Sequence, residues 1–210
     1  MVETVCALVG LTVLCMLSPG PDMVLVMRNT MAGGRNSGLV TSLGILTGNA
    51  VHVTYCAVGV GWLVARSVVV YGFLKYAGAA YLIYLGVSGL RSKHRAVGNF
   101  AGGNLRKPSR TEDDRRVFFQ GLLNNLLNAK GALFYLGIFT QVIGPGTAPA
   151  TTLVLILSMV ATSALFWLAF VHTLHLPPVR NWLARFQRLI QRIFGTLLIL
   201  AGLRVATSAE

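Results

Sequence analysis

Apolar residues fall along this chain in long runs separated by short polar breaks. That is neither the alternation of a half-buried strand nor the one-sided stripe of a soluble amphipathic helix. A helix needs about 20 residues to cross roughly 30 Å of hydrocarbon. Six runs serve as candidates: residues 4–27, 39–64, 68–90, 117–143, 151–174 and 189–206. The pattern predicts an all-α integral membrane protein, one domain over residues 1–210 with six transmembrane helices. The first run is interrupted by Ser18-Pro19-Gly20-Pro21-Asp22, and the fourth has a polar middle. The sixth is the weakest. Its uninterrupted apolar core, residues 193–203, is too short alone, so Arg192 and Arg204 have to snorkel toward the two interfaces.

Charge gives the runs an orientation. The first loop carries Arg28 and Arg35, and the fifth Arg180, Arg185 and Arg188, with Arg192 at its end. The third, the basic loop 92–116 with Arg91 before it, is the only sizeable hydrophilic stretch; its mixed charge, Gly, Pro and Ser over residues 99–116 predict flexibility. The second loop, with Arg66 and Lys75 a little further on, is only slightly basic, and the fourth, residues 144–149, is uncharged. Six spans with both termini outside put all three basic loops in the cytoplasm. In the fifth loop Val179, Trp182, Leu183, Phe186 and Ile190 recur at helical spacing, which predicts a short interfacial helix acting as connector and anchor.

Composition agrees. Apolar residues make up 54% and charged residues 11%, against roughly 25% charged in a soluble domain. A net charge of +12 on a soluble protein would suggest nucleic acid. Here the basic residues cluster in loops between apolar runs, so the expected surrounding is the lipid bilayer, with no nucleic-acid partner. Cys6, Cys15 and Cys56 lie in apolar runs and read as small buried hydrophobes. The N-terminal run has no basic n-region and reads as a span rather than a signal peptide.

The two halves echo each other. Lys75-Tyr-Ala-Gly78 and the ending Gly89-Leu90-Arg91 in the third span match Arg192-Ile-Phe-Gly195 and Gly202-Leu203-Arg204 in the sixth. The first and fourth spans are both interrupted. Three spans per half is an odd number, so half-repeats over about 1–91 and 117–208 would enter the membrane from opposite sides. This is a 3+3 inverted repeat, and interrupted spans at matching positions point to a transporter binding site.

The candidate residues lie at those interruptions. Pro19 and Pro21 remove backbone donors and Gly20 permits unusual dihedrals, so carbonyls one turn earlier lose their partners. In hydrocarbon those groups require protein or a water-filled cavity; the alternative is a loop at the end of the first span. Asp22 is the only acidic residue inside a candidate span, either an ion-path carboxylate or a helix cap. Asn124, Asn125, Asn128 and Lys130 put three amides and an ammonium in the fourth span. A buried Lys requires a partner, and Asp22 is the expected one if the two breaks meet; the alternative is a Lys130 that snorkels from the surface. His52, inside the second span, is either a proton relay or a hydrogen-bonded structural histidine; His172 and His175, at the inner end of the fifth, read as structural. Gln141 is expected at the outer interface, and Gly44 and Gly48 form a packing pair. The chain shows no Cys/His metal spacing, no Ser-His-Asp arrangement and no nucleotide-binding loop. It therefore reads as neither an enzyme nor an ATP-driven pump, and as requiring no cofactor.

These residues carry a family resemblance over nearly the whole chain. Ser18-Pro-Gly-Pro-Asp22 followed by Gly33-Gly-Arg35, Gly38-Leu39, Gly44 and Gly48 resembles the N-terminal signature of the LysE/RhtB amino-acid exporters. Lys75-Tyr-Ala-Gly-Ala-Ala-Tyr-Leu-Ile-Tyr-Leu-Gly86 with Arg91 resembles the family's third span, and Phe119-Gln-Gly121, residues 125–130 and Leu133-Phe134 its fourth. Two positions depart: Asn128-Ala129-Lys130 stands where the family usually has Asn-Pro-Lys, and Thr140-Gln141 where it often has Pro-Gln. The resemblance implies a secondary transporter of the bacterial cytoplasmic membrane, of the threonine, homoserine or leucine efflux type, exporting an amino acid or derivative by proton antiport. The solute carboxylate would meet Lys130 or free N–H groups at a half-helix start, and its ammonium Asp22 or freed carbonyls. Proton binding at Asp22 or His52 would bias which side is open. A carrier of another solute or cation, and a non-transport scaffold, are the alternatives; a homo-oligomer is open.

Overall fold

The computed structural model describes residues 2–91, 112–144, 146–174 and 176–207. Its regular structure among those residues is helical: α1 (Val2–Leu17), α2 (Pro21–Arg66), α3 (Val68–Arg91), α4 (Glu112–Leu126), α5 (Ala129–Val142), α6 (Pro149–Thr173) and α7 (Pro177–Thr207). Most of the basic loop, residues 92–111, lies outside the described residues, as does His175.

Local chemistry sets most boundaries. Pro19 has no N–H to donate and disfavours a helical Ser18, so α1 stops at Leu17. Gly20 is extended (φ −151°, ψ −178°), and Pro21 opens α2 at its first position, where a missing N–H costs nothing. The loop expected over residues 28–38 is helical instead. The chain turns on one residue, Gly34, whose φ of +80° and ψ of −172° suit glycine alone. Polar side chains on both sides of it fold back onto their own helix: Thr30 Oγ1 donates to Val26 O at 2.6 Å and Thr41 Oγ1 to Ser37 O at 2.7 Å.

A second expectation is corrected at the C-terminal end. The interfacial helix and the sixth span form one helix, α7, of 31 residues. No Gly or Pro separates Pro178 from Gly195, so nothing breaks the backbone. Arg185, Arg188 and Arg192 stay on the exposed side, while Leu183 and Ile190 are buried with Met23 and Met27. Four described stretches are long and apolar enough to cross a membrane: Pro21–Leu63, Val69–Arg91, Pro149–Thr173 and Arg185–Arg204; α1 is apolar but shorter.

The packing is reciprocal. α2 lies most closely on α4, and α3 on α7; α1 lies on α6 and α5 on α3. Glycines set both main crossings. A Cβ at Gly44 would overlap Phe118 O and one at Gly121 would overlap Thr41 O. A Cβ at Gly86 would overlap Gly195 O, and one at Gly195 would come within 2.6 Å of Gly86 O. Small residues thus let the backbones touch, as helix pairs in lipid require. Two apolar clusters result. One gathers Leu8, Leu82, Phe134, Ile138, Phe194 and Leu198; the other gathers Met23, Ile45, Trp167, Phe170, Leu183 and Ile190.

Candidate functional site

Between the two clusters lies a cavity of about 50 Å³ whose wall draws on the first break (Ser18, Gly20, Asp22) and on the second (Asn128, Lys130, Gly131). The fourth apolar run is therefore interrupted without the proline, split into α4 and α5. α4 ends at Leu126, and Asn128, extended at φ −81° and ψ 91°, caps α5 by accepting from Lys130 N at 3.1 Å through its own Oδ1. The last turn of α4 closes with Asn128 N donating to Asn125 O at 2.9 Å.

The two breaks grip each other crosswise. Asp22 sits in the first turn of α2, where the positive end of the helix dipole favours a carboxylate. Its Oδ1 accepts from Asn124 Nδ2 at 2.6 Å, and its Oδ2 from Asn125 Nδ2 at 3.0 Å and Asn128 Nδ2 at 3.1 Å. Lys130 reaches the other way: its Nζ donates to Ser18 O at 3.1 Å and Cys15 O at 3.5 Å, carbonyls freed by the first break. It also stands over the Phe194 ring, 5.5 Å from the centroid. The expected Asp22–Lys130 pairing is thus corrected. The partners of the carboxylate are three amides, and those of the ammonium are main-chain oxygens and a ring face. The amides reach Asp22 first because they occupy the last turn of α4 and the break itself, on the side facing α2.

The other expected residues divide. Pro19 and Pro21 shape the break without lining the cavity, and Gly20 lines it, with Lys130 Nζ 3.6 Å from where a Cβ would stand. His52 is buried on α2 but flanks the site: its Nδ1 lies 3.4 Å from Tyr55 Oη, and its imidazole lies beside the Leu126 carbonyl at the end of α4. Gln141 lies on a separate, larger cavity.

Sequence reasoning missed Asn49, Ser163, Tyr135 and Trp167. Asn49 Nδ2 donates to Ser163 Oγ at 2.6 Å, tying α2 to α6, and Tyr135 lies beside both. Asn49, Tyr135 and Trp167 line the cavity. The available signal was one polar group set in an apolar run. Two residues of the cavity wall have a buried polar atom without a hydrogen-bond partner: Trp167 through Nε1, and Asn125 through Oδ1, which packs against Gly48. Such groups are costly to bury unpaired. The wall therefore brings an anion, a cation and an indole with an unpaired donor around space for a few waters.

The family model for the LysE type translocators matches residues 13–209, and the chain belongs to that family. It is a membrane protein and a translocator. It is 30% identical over 208 residues to the uncharacterized membrane protein YrhP of Bacillus subtilis, covering 96% of this chain and 98% of that one. It is 32% identical over 209 residues to an uncharacterized membrane protein of Pseudomonas aeruginosa, covering 93% and 91%. It is 28% identical over 194 residues to the homoserine/homoserine lactone efflux protein of Salmonella typhimurium, covering 91% and 90%. No solved structure matches the chain.

Proposed function

We propose that this LysE-type translocator exports a small amino acid or amino-acid derivative from the bacterial cytoplasm by proton antiport. The observation that carries the reading is the crossed grip of the two breaks: Asp22 held by the amides of the second, Lys130 by the carbonyls of the first, around one cavity. A zwitterion carries the two charges that could exchange with these contacts. Its carboxylate takes Lys130 from the Ser18 carbonyl, and its ammonium takes Asp22 from the amides. The unpartnered Trp167 Nε1 favours a polar solute. A relative 28% identical is a homoserine/homoserine lactone efflux protein; homoserine is a zwitterion of this class, while its lactone keeps only the ammonium.

In this reading the chain has six spans, α1 with the start of α2 forming the first and α4 with α5 the fourth, arranged as a 3+3 inverted repeat with both termini outside. The reciprocal packing of α2 on α4 and α1 on α6 supports that order. The cavity is small, so solute entry requires the walls to part. A proton on Asp22 removes one acceptor position from the amide cradle; His52, beside the end of α4, is the second proton-binding candidate.

The test is efflux from preloaded cells across a panel of labelled amino acids and derivatives, at two external pH values. Export of at least one, abolished in Asp22→Asn and Lys130→Ala while both variants reach the membrane, is the expected result. Full efflux by both variants would refute the site. Efflux only of non-zwitterionic solutes would refute the substrate class.

A further inference from the structure

The larger cavity, about 700 Å³, opens where α1 begins and where α5 and α7 end, with Glu3, Lys75, Gln141 and Arg204 among its walls. Its deeper wall is apolar and comes within one helical turn of the small cavity on α1 and α5, while on α7 it ends one turn from the ring that carries Lys130. On α1, Leu11 lines the large cavity and Cys15, four residues on, the small one. On α5, Ile138 lines the large cavity and Tyr135, three residues back, the small one; Lys130 lines the small one too, with Phe134 midway between Lys130 and Ile138, four residues from each and on the same face. On α7, Leu198 lines the large cavity, and Phe194, one turn back, carries the Lys130 ammonium over its ring. Phe134 and Phe194 are 0% and 3% exposed, and their ring centroids are 6.0 Å apart.

We infer that the Phe134–Phe194 pair is the closed seal between the solute site and an exit vestibule, and that Phe194 is the positioning residue for the Lys130 ammonium. The inference rests on the transport reading above and adds the path out. Lys130 touches both the site and the seal. A solute carboxylate that draws the ammonium off the Phe194 ring removes a contact holding that ring in place. Occupancy of the site then loosens the seal on the vestibule side.

Cys15 tests this without any substrate. In a Cys6→Ser/Cys56→Ser background, purified protein is treated with a charged, water-soluble methanethiosulfonate and the rate of Cys15 modification is measured. Slow modification is expected in the parent, at least ten-fold faster modification in Phe194→Ala and in Phe134→Ala, and no change in Phe166→Ala, whose ring lies in the other cluster. Leu11→Cys on a cysteine-free chain is expected to react fast without any further substitution. Equal Cys15 rates in the parent and both seal variants, or a Leu11→Cys as slow as Cys15, would overturn the seal. For the positioning role, Phe194→Leu keeps apolar volume but takes the ring from Lys130. It is expected to leave Cys15 protected and to raise the efflux KM at least three-fold at unchanged kcat, with Phe194→Tyr restoring the parent value. An unchanged KM in Phe194→Leu would overturn that role. Failure to export any solute would refute the transport reading while leaving the labelling result to judge the seal.

Discussion

Replacing Asp22 by Ala and by Asn separates the two things its carboxylate does. Asp22→Ala strips the acceptor from Asn124, Asn125 and Asn128 at once. A buried donor left unpaired costs about 1–3 kcal/mol. Asn125 is buried and carries that in full, whereas Asn124 and Asn128 are half-buried and lose less. Removing a desolvated carboxylate returns part of the loss. The net cost is about 2–4 kcal/mol, which in a chain of this length lowers Tm by about 5–15 °C. Asp22→Asn keeps the shape. Its Oδ1 can serve Asn125 and Asn128, and Asn124 can flip its amide to accept from the new Nδ2, so three contacts remain and only the charge is lost. Charge-assisted bonds are about twice as strong as neutral ones, so the loss is about 1 kcal/mol per bond, partly offset because a neutral amide is cheaper to bury. Melting of the detergent-purified variants should therefore rank parent, Asn, Ala, with Asn within about 5 °C of the parent. Efflux should be lost in both. An Asp22→Ala protein as stable as the parent would refute the amide cradle. An Asp22→Asn protein that melts with Ala would show that charge, rather than shape, holds the breaks together.

Restoring the family proline should be harmless. Ala129 is the first residue of α5 and Asn128 is already extended, as a residue before proline prefers; Ala129→Pro should raise stability by about 0.4–1 kcal/mol, and a fall in Tm of more than about 5 °C would refute the assigned helix start. Asn128→Ala removes both a cap and an Asp22 contact and should cost about 2 kcal/mol in chemical or thermal unfolding. Gly86→Val overlaps Gly195 O and meets Ile199 Cγ1 at 2.7 Å, so it should cost about 1–3 kcal/mol and lower the yield of folded protein. Gly72→Ala, on the same helix with nothing within 4 Å, should be neutral or slightly stabilising by the same melt.

What could be read from the sequence was whatever acts locally. Pro19 and Pro21 break a helix through their own backbones, so the first interruption was visible at once. Asp22, Asn124, Asn125, Asn128 and Lys130 stood out because polar groups are expensive in an apolar run. Partners were not visible. Lys130 bonds the carbonyls of Ser18 and Cys15, and every residue has a carbonyl, so no side-chain identity marks which ones a break has freed. Loop charge bears on orientation and does not mark where helices end. Arg28 and Arg35 marked a turn that Gly34 completes alone, and arginines on one side of α7 read as a surface helix when only that side is exposed. Asn49 and Ser163 carried a signal, but each is a single polar residue, and their 2.6 Å contact exists only once α2 and α6 are side by side.

The two breaks correspond residue by residue. Gly20 and Asn128 are the caps, Pro21 and Ala129 the first helical residues, and Asp22 and Lys130 the second. The charges at the matched positions are opposite, and the helix dipole treats them unequally. A carboxylate at a helix start is favoured by about 0.3–1 kcal/mol, and an ammonium there is disfavoured by a similar amount. Lys130 is therefore misplaced with respect to its own helix. It becomes favourable because its side chain crosses to the C-terminal end of α1, where the carbonyls of Cys15 and Ser18 carry the negative end of the opposite dipole. Asp22 crosses in return to the amides at the end of α4, where the bare carbonyls alone would repel it. Neither charge is stable without the other half of the chain. A duplicated fold with identical charges at both breaks would present two like ions to one cavity. Under the proposed function, opposite charges are what would let the same backbone arrangement hold the two ends of one zwitterion, each side chain leaving its contacts on the opposite half when a solute takes its place.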